Sequence, residues 1–446
     1  MEQQHMFTNR MIRNLLVPVV LEQILNSIMG TADTMMVSNV GSAALSAVSL
    51  VDSINVLLIQ AFSALAAGGA IVCAQYIGQK NYERANMSAR QVLFIITAIS
   101  VAVSAICLIF QKPLLRLIFG AVEADVMRAS ETYFFYTALS FPFIAAYDSA
   151  ASIFRAQDNT KGPMLISMIS NVMNIGGNAI LIWVFHMGVA GAAISTLVSR
   201  IFCAVVVLYQ LRKDRQPIVV RDYLKIRPDW AMIRRILGLG IPSGIENSMF
   251  QLGKLAIQST VSTLGTAAIA AQAMTNILEN LNGIAAIGVG VGLMTIVGQC
   301  LGAGRKDEAV YYIKKLCVIA EVVIIVSCLT VYALARPVTI LGGMEKTSAA
   351  MCIHMVTWIT IVKPLVWTMA FVPGYGLRAA GDVKFSMITS CCTMWACRFC
   401  LCVFLIRVMG FGPMGVWIGM FADWTIRGII FTWRFHSRRW LEHKVI

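Results

Sequence analysis

Polar and apolar positions alternate along this chain in long blocks rather than singly. Apolar segments lie near 14–40, 48–76, 87–110, 130–154, 162–185 and 189–211. They recur near 236–264, 268–300, 310–335, 350–377, 384–409 and 413–434. At a rise of about 1.5 Å per residue, roughly 20 such residues cross a hydrocarbon core of about 30 Å, so each block predicts one membrane-spanning helix. The expected fold is an all-α polytopic membrane protein with twelve transmembrane helices. Between the two sets lies RKDRQPIVVRDYLKIRPDW, a polar, basic stretch with two prolines. It divides the chain into a six-helix bundle over 1–211, a cytoplasmic linker over 212–235 and a second six-helix bundle over 236–446.

The first block is the least regular. Leu15 to Val40 is 26 residues long and holds Pro18, Glu22 and Asp33 within an otherwise membrane-spanning run. An ionised carboxylate inside a bilayer costs roughly 2.5–3.5 kcal/mol on insertion scales, so Asp33 must face protein or trapped water. It is a candidate proton or cation site. Pro18 removes one backbone hydrogen bond and softens the helix around it.

The two sets of blocks repeat each other. A shift of 224 positions pairs Pro18 with Pro242, Glu22 with Glu246, Gly41 with Gly265, Gly68 with Gly292, Gln75 with Gln299 and Gly78 with Gly302. After one deletion, Arg155, Ala156 and Lys161 match Arg378, Ala379 and Lys384. Chance alignments of apolar sequence rarely pair proline, glycine and intramembrane glutamate, so the duplication is real. An even number of helices per half gives both halves the same orientation, which implies a pseudo-twofold axis along the membrane normal.

Composition agrees with the blocks: 58% of residues are hydrophobic and only 13% charged, against about 25% charged in a soluble globular chain. The first segment is too long for a signal peptide and is expected to remain as a helix. The net charge of +14 sits in short loops, where lipid headgroups and topology explain it, and nucleic acid is not an expected partner. Arg10, Arg13, Lys80, Arg84, Lys161, the linker, Arg305, Lys306, Lys384 and Arg434 gather on one side, which orients both termini to the cytoplasm. The twelve cysteines read as small apolar side chains. No phosphate-binding G-x-x-x-x-G-K-[ST], H-E-x-x-H or G-x-S-x-G motif is present, so no enzyme is expected and any pump must run on an ion gradient. GVGVG at 288–292 reads as close helix packing.

The stretch PVVLEQILNSIMGTADTMMV, the paired loops QYIGQKNYERA and QCLGAGRKDEA, and the paired segments FRAQDNTKGPM and LRAAGDVKFSM resemble the multidrug and toxic compound extrusion (MATE) transporters, in detail the DinF-like branch. The resemblance implies a secondary active multidrug efflux antiporter of the plasma (inner) membrane. Such a protein exports organic, cationic or amphipathic, drug-like compounds in exchange for H+ or Na+ by rocking its two bundles. It implies no cofactor beyond the coupling ion, and a monomer in the lipid bilayer. The alternative within the larger superfamily is a flippase for lipid-linked precursors. That activity favours a strongly basic central cavity, whereas the intramembrane charges of the first bundle are mainly acidic.

By the same resemblance, Asp33 is the coupling carboxylate of the first helix and Pro18 the proline where that helix bends. Asn174 and Asn178 of the fifth helix and Thr196 of the sixth line the same polar pocket, where sodium would bind. Residues four apart share a helix face, so Asn174 and Asn178 can present two amide oxygens to one partner. The shift of 224 carries Asp33 to Ile257, Asn174 to Arg398 and Asn178 to Cys402, so coupling is expected in the first bundle alone. NorM-like members have acidic groups in the second bundle where Phe250 and Trp367 stand here, so a sodium site of that type is not expected. Glu22, Glu246, Glu279, Lys254 and Asp148 are candidates for cavity lining; the alternatives are ion pairing or coupling for Glu22 and Glu246, pairing of Lys254 with Glu279, and hydration or a role in substrate entry for Asp148.

Overall fold

The computed structural model of the chain describes residues 5–446, and the described residues form helices and turns with no strand. The helices are α1 (Asn9–Ser38), α2 (Ser42–Gly78), α3 (Tyr82–Ile109), α4 (Gln111–Phe119), α5 (Ala124–Leu139), α6 (Phe141–Ala156), α7 (Lys161–Asn178) and α8 (Val189–Leu211). They continue with α9 (Trp230–Val261), α10 (Thr266–Gly302), α11 (Lys306–Leu341), α12 (Lys346–Ala379), α13 (Val383–Thr393), α14 (Leu401–Arg407) and α15 (Met414–His436). Taking α5 with α6 and α13 with α14 as single interrupted rods gives twelve membrane-length rods. Ten of them are long and apolar enough by themselves to span. The exceptions are the rod split between α5 and α6, and α9, whose apolar run is diluted by Glu246, Asn247, Gln251 and Lys254.

The rods depart from the apolar blocks where local chemistry overrides hydropathy. The fourth block, expected over 130–154, is a rod from Ala124 to Ala156 broken at Ser140. Pro142, just inside α6, has no N–H to give the carbonyl of Ala138 four residues back. The Ser104 hydroxyl of α3 donates to that carbonyl instead, at 2.6 Å. The short α4 falls outside every block. The fifth and eleventh rods widen into π-helical turns at Ala179–Val184 and Met394–Cys400, a feature that hydropathy does not encode.

Two compact units emerge, and they divide inside α1 and α9 rather than at the linker. One comprises Ile24–Gly244; the other comprises Met1–Gln23 with Ile245–Ile446. In the first, α2 packs against α3, α5 and α6, and α8 against α5, α6 and α7. In the second, α10, α11 and α12 pack against one another, and α15 lies against α12, α13 and α14. The linker belongs to the first unit and is pinned there. The Asn86 side chain donates to the Pro217 carbonyl and accepts from Val219 N–H, and Gln91 does the same for Arg227 and Asp229.

The position of these divisions follows from glycine. Helices in lipid have little hydrophobic drive to associate and rely on close backbone approach at small residues. A Cβ on Gly68 of α2 would lie 2.6 Å from the backbone nitrogen of Gly240 in α9. In the other unit a Cβ on Gly292 of α10, within the GVGVG run, would collide with the side chain of Leu16 in α1. Gly68 and Gly292 are 224 apart, as are Leu16 and Gly240, so each unit takes the opening segment of α1 or α9 into the same groove.

Gly68→Val forces backbone apart and is expected to destabilise the protein by about 1–3 kcal/mol, the usual cost of overpacking. Gly30→Ala, with nothing within 4 Å of its added carbon, costs nothing and is expected to add up to about 1 kcal/mol through helix propensity. Thermal unfolding in detergent measures both.

Candidate functional site

In the first unit a chain of polar side chains runs across three helices. Asn178, the last residue of α7 before its π-helical turn, donates to the Asp33 carboxylate of α1. Its amide also reaches Asn174 Oδ1 at 3.4 Å, and Asn174 Nδ2 donates to Thr196 Oγ1 of α8 at 3.2 Å. The Asn174 backbone carbonyl accepts from Ser195 at 2.8 Å, which fixes α8 against α7 at this level. The four residues expected to share a pocket are thus brought together. Asn178 is fully buried, and its Oδ1 has no hydrogen-bond partner among the described residues. A buried amide oxygen without a donor costs about 1–3 kcal/mol. On an amide that already bonds a carboxylate and a second amide oxygen, it suits a proton carrier or a small hard cation.

The same unit holds ionic groups that the resemblance did not single out. Asp52 of α2 accepts from Tyr133 Oη of α5 at 3.1 Å and from Asn55 Nδ2 at 3.2 Å. Arg200 of α8 donates to Ser140 Oγ at 2.6 Å, at the break between α5 and α6. Asp33 and Asp52 both lie within electrostatic range of Arg200, two carboxylates to one guanidinium, and Asp148 interacts with Arg200 among other groups. Asp52 and Arg200 stand inside the second and sixth apolar blocks, and that signal was available from the sequence. Pro18 lies inside α1, which continues through it.

The second unit is not apolar where the first is polar. Arg398, at the position related to Asn174 by 224, is buried 4.0 Å from Asp423. Asp423 is held by Arg427, one turn on in α15, through bonds of 2.9 and 3.1 Å. The expected pairing of Lys254 with Glu279 does not form. Glu279 of α10 binds Lys363 of α12 at 2.6 Å, and the fully buried Lys363 ammonium also reaches Asn282. Lys363 wins because α12 runs beside α10 and brings three acceptors around one ammonium, whereas Lys254 Nζ lies 5.0 Å from the Phe250 ring centre. Glu246 forms an ion pair with Arg378 at 2.6 Å, and Glu22 is buried. Trp367 stacks on Phe371 with 4.8 Å between ring centres.

The MatE family model matches residues 18–180 and again residues 242–404. This chain belongs to the MatE family. The two matched segments are displaced by 224 residues, the interval of the internal repeat, so the family unit is the half and the chain carries it twice. The chain is a multi-pass membrane transporter and not an enzyme. It is similar to YisQ of Bacillus subtilis (strain 168), described as an uncharacterized transporter, with 25% identity across 95% of this chain and 93% of that protein. A probable multidrug resistance protein NorM of Thermotoga maritima is 24% identical across 97% of this chain and 93% of its own. An outward-facing structure of a multidrug resistance MATE family transporter of the MOP superfamily superposes with a TM-score of 0.90 at 19% identity. It covers 96% of this chain and 95% of that one, and so shares the fold.

For this MatE-family chain, removing one member of a buried ion pair exposes the other. Lys363→Met is expected to destabilise by about 3–5 kcal/mol, and the double variant Lys363→Met with Glu279→Leu by much less. Thermal melts of the single and double variants test the pair.

Proposed function

We propose that this protein is a secondary active efflux antiporter that exports organic, cationic or amphipathic, compounds in exchange for protons or sodium, with coupling at Asp33, Asn174, Asn178 and Thr196. The observation that carries the reading is the hydrogen-bonded chain from Asp33 through Asn178 and Asn174 to Thr196, with one buried amide oxygen left to accept. The multidrug-resistance descriptions of its relatives support the substrate class. As cargo, a sodium ion would take oxygens from these four side chains, and a proton would sit on Asp33.

The coupling follows from charge. With acidic groups in excess over Arg200, the empty pocket holds negative charge that is costly in a sealed, low-dielectric interior. Binding H+ or Na+ neutralises it and favours the closed side of an alternating-access cycle in which two six-helix bundles rock. Release on the other side restores the charge and favours substrate binding. A ligand shifts such an equilibrium only by its differential affinity for the two states, and a charge at Asp33 provides that difference. Pro18 softens α1 and lets it change shape between them. The protein acts as a monomer in the plasma membrane, with its termini and linker in the cytoplasm.

Asp33→Asn mimics the neutralised form. It is expected to fold and to lose gradient-driven efflux from proteoliposomes, down to passive leak, while Glu246→Gln, compared per folded protein, retains coupled export. Normal uphill export by Asp33→Asn together with its loss in Glu246→Gln would move coupling to the second unit. Reporter fusions after residues 40, 120, 220 and 345 test the orientation, and an outside signal at 220 contradicts it.

A further inference from the structure

In the second unit three ion pairs leave two neighbouring cations without a carboxylate of their own. Glu246 is used by Arg378, Glu279 by Lys363 and Asp423 by Arg427. Arg398 is then left with a secondary contact to Asp423 at 4.0 Å and a sulfur contact to Met394 at 3.8 Å. Lys254 has no carboxylate within ion-pair distance among the described residues. Both cations converge on one ring: Lys254 Nζ lies 5.0 Å and Arg398 Cζ 4.8 Å from the centre of Phe250, and Arg427 stands 6.0 Å from it. Lys254 and Arg398 are close enough to repel each other. A ring face attracts each cation by about 0.5–2 kcal/mol but neutralises neither.

Excess cationic charge at membrane depth persists where it has a use. We infer that Lys254 and Arg398, gathered around Phe250, form a recognition site for a carboxylate or sulfonate group on an amphipathic substrate. Arg398 is buried with Asp423 4.0 Å from its guanidinium, and Lys254 carries the accessible surface of the pair. A planar guanidinium takes an oxyanion through paired N–H donors, an ammonium adds a second point of charge, and the ring supplies an apolar surface for the body of the molecule. The inference rests on the export reading above and narrows its amphipathic substrates to those that carry an acidic group beside a cationic centre.

The test uses the purified full chain in detergent with a matched pair of probes, a carboxy-rhodamine and its methyl ester, read by fluorescence anisotropy. The wild type is expected to bind the acid at least about tenfold more tightly than the ester, a difference of about 1.4 kcal/mol. Lys254→Gln and Arg398→Gln each bring the acid down towards the ester and leave the ester unchanged, and Lys254→Arg and Arg398→Lys recover most of the preference. Equal affinity for acid and ester in the wild type, or equal weakening of both by Lys254→Gln, overturns the assignment. So does displacement of the acid by phosphatidylglycerol with the ester unaffected, which would make this a lipid-headgroup site. Extrusion of the ester from proteoliposomes tests the export reading separately, since the ester lacks the group that the site recognises.

Discussion

A charge in hydrocarbon must be matched by a partner, hydrated or neutralised, and the interior of this protein is arranged around that constraint. The two halves start from the same repeat and meet it differently. In the first unit, Asp33 and Asp52 share Arg200, and Asn178 of α7 donates to Asp33 at the end of a chain that runs through Asn174 to Thr196 of α8. In the second, Glu246, Glu279 and Asp423 are each taken by a cation, and Lys254 and Arg398 remain around Phe250. Duplication has preserved the helices, the grooves and the glycines, while the ionic groups have diverged in sign.

That divergence explains why the repeat register alone does not describe the polar interior of the second half. The register-based comparison located Arg398 opposite Asn174, but register says nothing of what an arginine meets on other helices. Asp423 and Arg427 lie one turn apart in α15, and their pairing was visible as spacing. Lys363 and Glu279 lie on different helices, and only packing decides between Lys363 and Lys254 as the partner of Glu279.

Much of the fold was legible because hydrocarbon thickness acts on every span alike. The blocks located all twelve rods, including α9, whose polar residues lower its hydropathy. The exceptions are local backbone events. The break at Ser140 depends on Ser104 standing ready for the carbonyl that Pro142 strands, and the π-helical turns after Asn178 and Thr393 leave no trace in the order of polar and apolar residues. Of the polar chain in the first unit, Asp33 was legible by its cost alone. Asn174, Asn178 and Thr196 needed a family resemblance to be chosen among many membrane-embedded polar residues. Asp52 is equally costly by position, but the repeat does not mark it, since its counterpart in the other half is Asn276.

The grooves at Gly68 and Gly292 set a timetable for synthesis. The groove on α2 is filled by the start of α9, so the first unit closes once residues to Gly244 have been made. The second unit needs Met1–Gln23 as well as everything after Ile245. Its earliest piece therefore waits while more than two hundred residues are added, roughly ten to forty seconds at ordinary translation rates. During that interval Leu15 and Leu16 have none of their final neighbours in α10. The nascent N-terminus must be sheltered by lipid, the insertion machinery or a chaperone until α10 arrives.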